Sequence, residues 1–336
     1  MKSYYVKLTG INESCLAVEN VCTKDLNDDE AIIKMEYSMI SAGTELSRAF
    51  ALKKGFKYPV RPGYCGVGIV QKAGPKLNVK KGDKVFVNSP HASLVRRTDG
   101  NDVQGETIFK LPDDIDSKEA TAINLLLVAL QGVNLTDVKM NDTVGVFGLG
   151  NIGILTALMY KKLGCTVIGL DPVKSRCKLA KKMGVTYTVD SLNQKEEINK
   201  LTNNRGLDIA VDASGVAPVI INCVDCVKAY GQVLLLGSPR QSYETDVMPL
   251  LSMMHMKNLK VIGGFNKTVS KYPVDGSDKC VYRDFTRCVE LIKNKNIDIS
   301  KLITKVIDPK DCQSAYYDLM YNKDKVNCIV YDWTKY

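Results

Sequence analysis

The stretch "VFGLGNIG", residues 146–153, constrains the fold of this chain more than any other. Three glycines, Gly148, Gly150 and Gly153, follow a short β-branched run, "TVGVF", and open a helical pattern, "NIGILTALMYKKLG", that ends on Gly164. A G-x-G-x-x-G pattern alone is weak, because glycine is common. Its place between a buried strand and a helix gives it meaning. Gly148 permits the tight turn, Gly150 lets a pyrophosphate approach the backbone, and Gly153 lets the helix pack against the strand. Asn151 and Ile152 form the opening of that helix, whose free N–H groups and positive dipole end favour phosphate.

The same rhythm continues on both sides of the loop. "SKEATAINLLLVALQGVN" reads as a helix with Ser117 as its cap. "CTVIGL", "YTVD", "GLDIAVDAS", "QVLLLG" and "LKVIGG" read as strands, and "VKSRCKLAKKMG" and "VAPVIINCVDCVKAYG" as helices ending at Gly184 and Gly231. Continuous apolar strands alternating with helices predict a parallel sheet covered on both faces. Six such strands in two halves predict the doubly wound Rossmann arrangement over residues 121–268. Asp171, at the end of the second strand, stands where an acid accepts hydrogen bonds from the adenosine ribose, or caps the next helix. An acid there repels a 2′-phosphate, so NAD is expected before NADP. Lys174 and Arg176 follow closely and blunt that preference, with Arg176 placed among the cofactor-binding candidates. Gly237, Ser238 and Gly264 end the fifth and sixth strands, where such sheets bind ligands, or serve plain turns.

Residues 1–115 read differently, as short strands and turns with few helical periods: "AIIKMEYSMI", "GVGIVQKAG", "DKVFVNS". After about residue 268 come a helix in "DFTRCVELIKNK", a strand in "LITKVI", a helix in "DPKDCQSAYYDLM" and a last strand in "VNCIVYDW". A strand so late is free to return to the N-terminal β-rich domain. The division expected is therefore 1–120 with 269–336, and 121–268.

Composition excludes several classes. No apolar run of roughly 18 residues predicts a membrane span, and "MKSYYVKLTG" lacks the apolar core of a signal peptide, so a cytoplasmic protein is expected. The net charge of +9 comes from scattered lysines and fits a solvated surface better than a binding patch. Basic and aromatic residues do not interleave as nucleic-acid binding requires. Eleven cysteines, an odd number at irregular spacings, fit a reducing compartment. Cys223 and Cys226 read as small buried side chains rather than a redox pair.

The order of these parts resembles the medium-chain dehydrogenase/reductase superfamily, over essentially the whole chain. "ISAGTEL" (40–46) is similar to a Cys-Gly-Thr-Asp type segment of its zinc-dependent members, "YPVRPGYCGVGIVQKAG" (58–74) to their Pro-Gly-His-Glu-x-x-G-x-V segment, and "VKKGDKVFV" to a Val-Gly-Asp-x-Val turn. The resemblance implies a GroES-like catalytic domain beside the Rossmann domain, a nicotinamide cofactor and, commonly, a homodimer, for which "LKVIGG" offers an edge. It also shows where this chain departs. Ala42 stands at the metal-binding cysteine, Tyr64 at the histidine and Cys65 at the glutamate. "TAINLLLVALQG" (121–132) holds no Cys, His, Asp or Glu, and residues 86–112 lack the cysteines of a structural zinc lobe. A catalytic zinc needs about three protein ligands, so no metal ligands are expected.

Without zinc, a hydrogen-bond donor must stabilise and protonate the alkoxide that hydride transfer creates. Four residues are candidates. His91 is one of only two histidines and titrates nearest neutrality; an ordinary loop histidine is the alternative. Tyr64 is a phenol at a former ligand position, or a space-filler there. Thr44 aligns with the hydroxyl residue that relays protons in related enzymes. Glu45 either orients a neighbour or, the favoured expectation, pairs with a lysine. His255 is expected to pack on its helix. The function expected is zinc-independent, NAD-dependent hydride transfer between nicotinamide and a small secondary alcohol or ketone, sugar- or polyol-like. The alternatives are a quinone- or enoyl-type double-bond reductase and a nicotinamide-binding regulator without turnover.

Overall fold

The computed structural model describes residues 1–52, 55–100, 106–190, 193–239, 241–265, 269–274 and 279–336. Two compact units divide the chain, residues 1–124 with 267–336, and residues 125–266. The expected boundary at 268 lies outside the described residues.

The first unit opens with a hairpin of β1 (Lys2–Gly10) and β2 (Glu13–Asn20). β3 (Glu30–Met39) runs into α1 (Ala42–Ala49), a helix that the strand-and-turn reading of this region missed. β4 (Gly66–Ala73), β5 (Lys84–Val87), β6 (Leu94–Thr98) and β7 (Ile108–Lys110) follow. The helical stretch after Ser117 is two helices, α2 (Ser117–Ala120) and α3 (Ile123–Asn134). The cap is not Ser117 but Asp116, whose carboxylate accepts the N–H groups of Lys118 and Glu119 at 2.8 and 3.0 Å. Ser117 donates its hydroxyl to Glu36 instead.

The second unit is the parallel sheet. It comprises β8 (Thr143–Phe147), α4 (Asn151–Lys162), β9 (Thr166–Leu170), α5 (Lys174–Met183), β10 (Tyr187–Val189), α6 (Gln194–Thr202), β11 (Leu207–Asp212), α7 (Ala217–Cys226), β12 (Val227–Leu235), α8 (Met248–Met256) and β13 (Lys260–Gly263). The strand order is β10-β9-β8-β11-β12-β13, every pair parallel. This is the doubly wound order, with the chain reversing direction across the sheet at β8 and β11. α7 stops at Cys226, short of the expected Gly231, because the chain turns extended at Val227 and joins β12. Lys257 makes that early stop possible. Its ammonium donates to the carbonyls of Val224, Asp225 and Val227 at 2.8–3.1 Å, filling acceptors that the helix end leaves open. Cys223 and Cys226 are buried in the core of this unit, beside Phe147, Ile168 and Val233.

The chain then returns to the first unit with α9 (Val281–Lys293), β14 (Lys305–Ile307), α10 (Cys312–Tyr321) and β15 (Ile329–Asp332). The last strand pairs antiparallel with β3, completing a sheet ordered β14-β15-β3-β4-β5-β7, with β6 also on β3. Its core gathers Ile33, Met35, Val70, Val85, Tyr316, Tyr331 and Trp333, all buried. Where the resemblance places a structural zinc lobe, a buried lysine ties the loops. Lys271 donates to Asp99 Oδ1 and to the carbonyls of Gly100 and Glu106 at 2.5–2.7 Å, with its ammonium over the rings of Phe109 and Tyr272.

Candidate functional site

In the second unit the glycine loop has the geometry that its spacing requires. Gly148 has φ +97, a conformation that L side chains rarely adopt. A Cβ on Gly153 would lie 1.8 Å from the Gly148 carbonyl oxygen, so the helix closes on the strand only with glycine there. A Cβ on Gly150 would meet nothing within 4 Å, which leaves open space above the loop. Gly150 is also the N-cap of α4 and contributes no side-chain bond. The first-turn N–H groups of Ile152 and Gly153 have no carbonyl within the helix to bond. Backbone donors and the dipole end thus converge beside unfilled space, the arrangement that takes a pyrophosphate.

Asp171 ends β9 and is 2% exposed. Its Oδ2 accepts the Leu149 N–H of the glycine loop at 2.8 Å and a guanidinium N–H of Arg176 at 3.3 Å. Its Oδ1 accepts the Val173 N–H at 2.8 Å, a turn that leads into α5. The carboxylate therefore locks the loop and starts the next helix at once. At the far side of the unit, Gly237 and Gly215 allow two turns to cross closely: a Cβ on Gly237 would lie 2.2 Å from the Gly215 nitrogen. Gly264 packs on the end of β12 with its N–H on the Leu235 carbonyl, and Ser238 is exposed. Asp212, which the sequence reading did not single out, holds the turn after β11 by accepting from Ser214 and Gly215.

In the first unit, side chains from distant segments meet in one polar cluster. The tyrosine hydroxyl of Tyr64 donates to Ser41 Oγ and stands 3.3 Å from Thr44 Oγ1. Burial pushes the Tyr64 phenol well up from its ordinary range, the neighbouring Cys65 adding to the effect. Tyr64 therefore holds its proton at neutral pH and is a donor rather than a base. Ser41 is the N-cap of α1, yet its hydroxyl caps nothing. The Ser41 backbone N–H donates instead to Glu45 Oε1 at 2.7 Å. Ser41 Oγ faces Tyr64.

Behind these hydroxyls lies a sealed network. Glu45 is 1% exposed and, among the described residues, pairs with no lysine, contrary to expectation, because the groups around it are uncharged donors and a histidine. Its Oε2 takes the Tyr316 hydroxyl at 2.7 Å and lies 3.0 Å from His91 Nε2. His91 is fully buried, with Nδ1 at 2.8 Å from Ser38 Oγ and its ring edge against Tyr331. Ser38 in turn accepts the Trp333 indole N–H at 2.8 Å. The Pro62–Gly63 turn seats the histidine: the Pro62 carbonyl accepts its N–H, and a Cβ on Gly63 would strike it at 2.7 Å. The structure thus brings Thr44, Glu45, Tyr64 and His91 together, but places only the first and third at the open side. Sequence reasoning missed Ser38, Ser41, Tyr316, Tyr331 and Trp333. None of these left a local signal: Ser41 precedes Glu45 by four residues, one more than the spacing of a capping box. His255, expected to pack, is exposed on α8.

A model of the zinc-binding dehydrogenase family matches residues 151–275. D-xylulose reductase A of Aspergillus oryzae is 29% identical over 222 residues, covering 64% of this chain and 57% of that protein. Sorbitol dehydrogenase of Bacillus subtilis is 29% identical over 228 residues, 67% of this chain and 60% of that one. The chain's matches thus span less than two thirds of these curated relatives. Galactitol-1-phosphate dehydrogenase from Escherichia coli superposes with a TM-score of 0.82 at 18% identity, over 98% of this chain and 99% of that one. These matches all indicate the medium-chain dehydrogenase/reductase superfamily.

For a zinc-type medium-chain dehydrogenase/reductase, the donor set of the first unit is the wrong chemistry for the metal. Ala42 offers no ligand atom. Tyr64 is committed to Ser41 and Thr44. The Cys65 thiol is fully buried, and burial and the nearby Glu45 push its pKa well up, whereas a zinc ligand must give up its proton. His91 has both nitrogens engaged. Among the described residues no group of three or more His, Cys, Asp or Glu is placed to hold a metal ion. The residues present do not fit a catalytic zinc.

Proposed function

We propose that this chain is a zinc-independent, NAD(H)-dependent oxidoreductase acting on a secondary alcohol or its ketone, of the sugar or polyol class. The observation that carries the reading is the hydroxyl cluster of Tyr64, Ser41 and Thr44 where zinc-dependent relatives keep ligands. The printed activities of the relatives, D-xylulose reductase and sorbitol dehydrogenase, support the substrate class.

Each residue has a role. Gly148, Gly150, Asn151, Ile152 and Gly153 receive the pyrophosphate of the dinucleotide, and Asp171 the adenosine ribose. Gly237, Ser238 and Gly264 line the nicotinamide half. When bound, the nicotinamide supplies a hydride donor or acceptor at its C4. Tyr64 donates its hydroxyl proton to the oxygen of the ketone as it becomes an alkoxide, and the phenolate left behind is reprotonated from water through Thr44. A buried phenol that keeps its proton suits the donor's part. Thr44, exposed beside it, exchanges protons with water. Glu45 and His91 hold Ser41, and through it Tyr64, in register. The open edge of β13, with exposed Val261 and the exposed Met248, Leu251 and Met256 of α8, supports a homodimer. No described helix is long and apolar enough to cross a membrane, in keeping with a cytoplasmic enzyme that uses small molecules.

Stopped-flow mixing with NADH and a panel of ketoses, ketones, quinones and enones tests this reading. Oxidation of NADH by ketoses supports it. Oxidation by quinones or enones alone replaces it with double-bond reduction, and binding without turnover across the panel replaces it with a nicotinamide-sensing regulator.

A further inference from the structure

Among the described residues, Arg48 is the arginine whose guanidinium holds no partner. The other described arginines each hold a carboxylate or a backbone carbonyl. A guanidinium is a fixed fork of donors shaped for a carboxylate or a phosphate, and Arg48 keeps that fork free although it is half-buried. It stands in the last turn of α1. Residues four apart share a helix face, so Arg48 lies one turn beyond the exposed Thr44, about 6 Å along the axis. Side chains on a helix lean toward its N-terminal end, so position 48 covers the turn that carries Thr44. Ser41 falls on the same face, and the Tyr64 hydroxyl meets both Ser41 Oγ and Thr44 Oγ1. The free cation therefore stands on the face that holds the proposed proton donor. No Asp or Glu occurs between Glu45 and Asp83, and Glu45 is sealed with Ser41, His91 and Tyr316. No acid of this segment neutralises Arg48, and an anion brought near Thr44 meets attraction.

We infer that Arg48 determines specificity, and that the sugar-like ketone or alcohol which reacts at Tyr64 carries an anionic group, a phosphate or a carboxylate, at the far end of its carbon chain. This substrate class rests on the proposed alcohol–ketone chemistry of the Tyr64 cluster. The ketone oxygen takes the Tyr64 proton while the anion takes paired N–H donors from Arg48. One helical turn, about 6 Å, is close to the span from the second carbon of a pentose to a substituent on its last.

Steady-state turnover with NADH tests this on the wild-type chain and on Arg48→Gln and Arg48→Lys. D-xylulose, D-xylulose 5-phosphate and 5-keto-D-gluconate serve as the neutral, phosphorylated and carboxylated ketones. The wild type should favour at least one of the two anions over D-xylulose by about tenfold or more in kcat/KM, and the one it favours separates phosphate from carboxylate. Arg48→Gln should cut that preference by about tenfold or more, chiefly through KM, and Arg48→Lys should restore part of it. A wild-type preference for the anions under about tenfold, or one that survives Arg48→Gln, overturns the inference. Arg48 is then a charge suited to a helix end, and the oxidoreductase reading stands. Oxidation of NADH by none of these ketones, nor by the wider panel, overturns the oxidoreductase reading itself, and the inference with it.

Discussion

The glycine loop of the second unit and the hydroxyl cluster of the first are built from different material. The loop is backbone: three glycines, helix N–H groups and a carboxylate that ties the turn. The cluster is side chains brought from residues 38–45, 64, 91, 316 and 331–333, segments that meet only after β15 has returned to β3. The loop follows its superfamily's pattern closely, while the cluster departs from it at every ligand position. Binding a common cofactor asks the same geometry of every relative. The reacting end is open to replacement, provided that a donor stands where charge develops.

That contrast can be broken by substitution. The largest effect is expected in the cluster. Glu45→Ala leaves the Ser41 N–H, the Tyr316 hydroxyl and His91 without their shared acceptor inside a sealed core, at a cost of about 4 kcal/mol. Chemical denaturation should show that loss, and a change under about 1 kcal/mol would mean the network is not a unit. Gly153→Ala comes next. Its methyl meets the Gly148 carbonyl, so the loop must shift at about 3 kcal/mol, and NADH binding should disappear by titration. Retained binding would break the link between loop geometry and cofactor. Tyr64→Phe removes one hydroxyl and little packing. It should leave the denaturation midpoint nearly unchanged while kcat falls by about a hundredfold. Unchanged turnover would make Tyr64 a space-filler.

The smallest effect is a slope with pH that both units share. Burial raises the thiol pKa of Cys65 and Cys288 in the first unit, and in the second raises Cys165, Cys177 and Cys226 to about 11 from an ordinary 9.0. The folded chain keeps these protons where the unfolded chain releases them. Their contribution is therefore whole below pH 9.0 and is lost as pH rises toward the folded values. Thermal melts between about pH 8 and 10.5 should show Tm falling steadily. Cys226→Ala should flatten the slope, and a Tm that rises with pH would contradict the assignment.

The same contrast explains what could be read from the chain before its structure. The second unit was legible because its signals are local. Strand, loop and helix follow one another, Gly184 ends α5 in a left-handed conformation, and Asp171 falls at a fixed place. It failed at α7, whose early end depends on Lys257 reaching across from α8. The first unit was legible as strands and turns, and the return of β15 was foreseen from its position. Its chemistry was not. Nothing local says that Glu45 takes the Ser41 N–H and meets His91 and Tyr316, since those last contacts bridge segments far apart in sequence. Charge alone suggested a lysine for Glu45, and only burial shows why none is there.

The central claim is that a hydroxyl cluster does the work at the reacting end. It is tested most directly by turnover in chelator-treated protein whose metal content has been measured. The account predicts NADH oxidation with a ketose at the untreated rate, with far less than one zinc per chain. Activity that is lost on chelation and restored by stoichiometric zinc would contradict it.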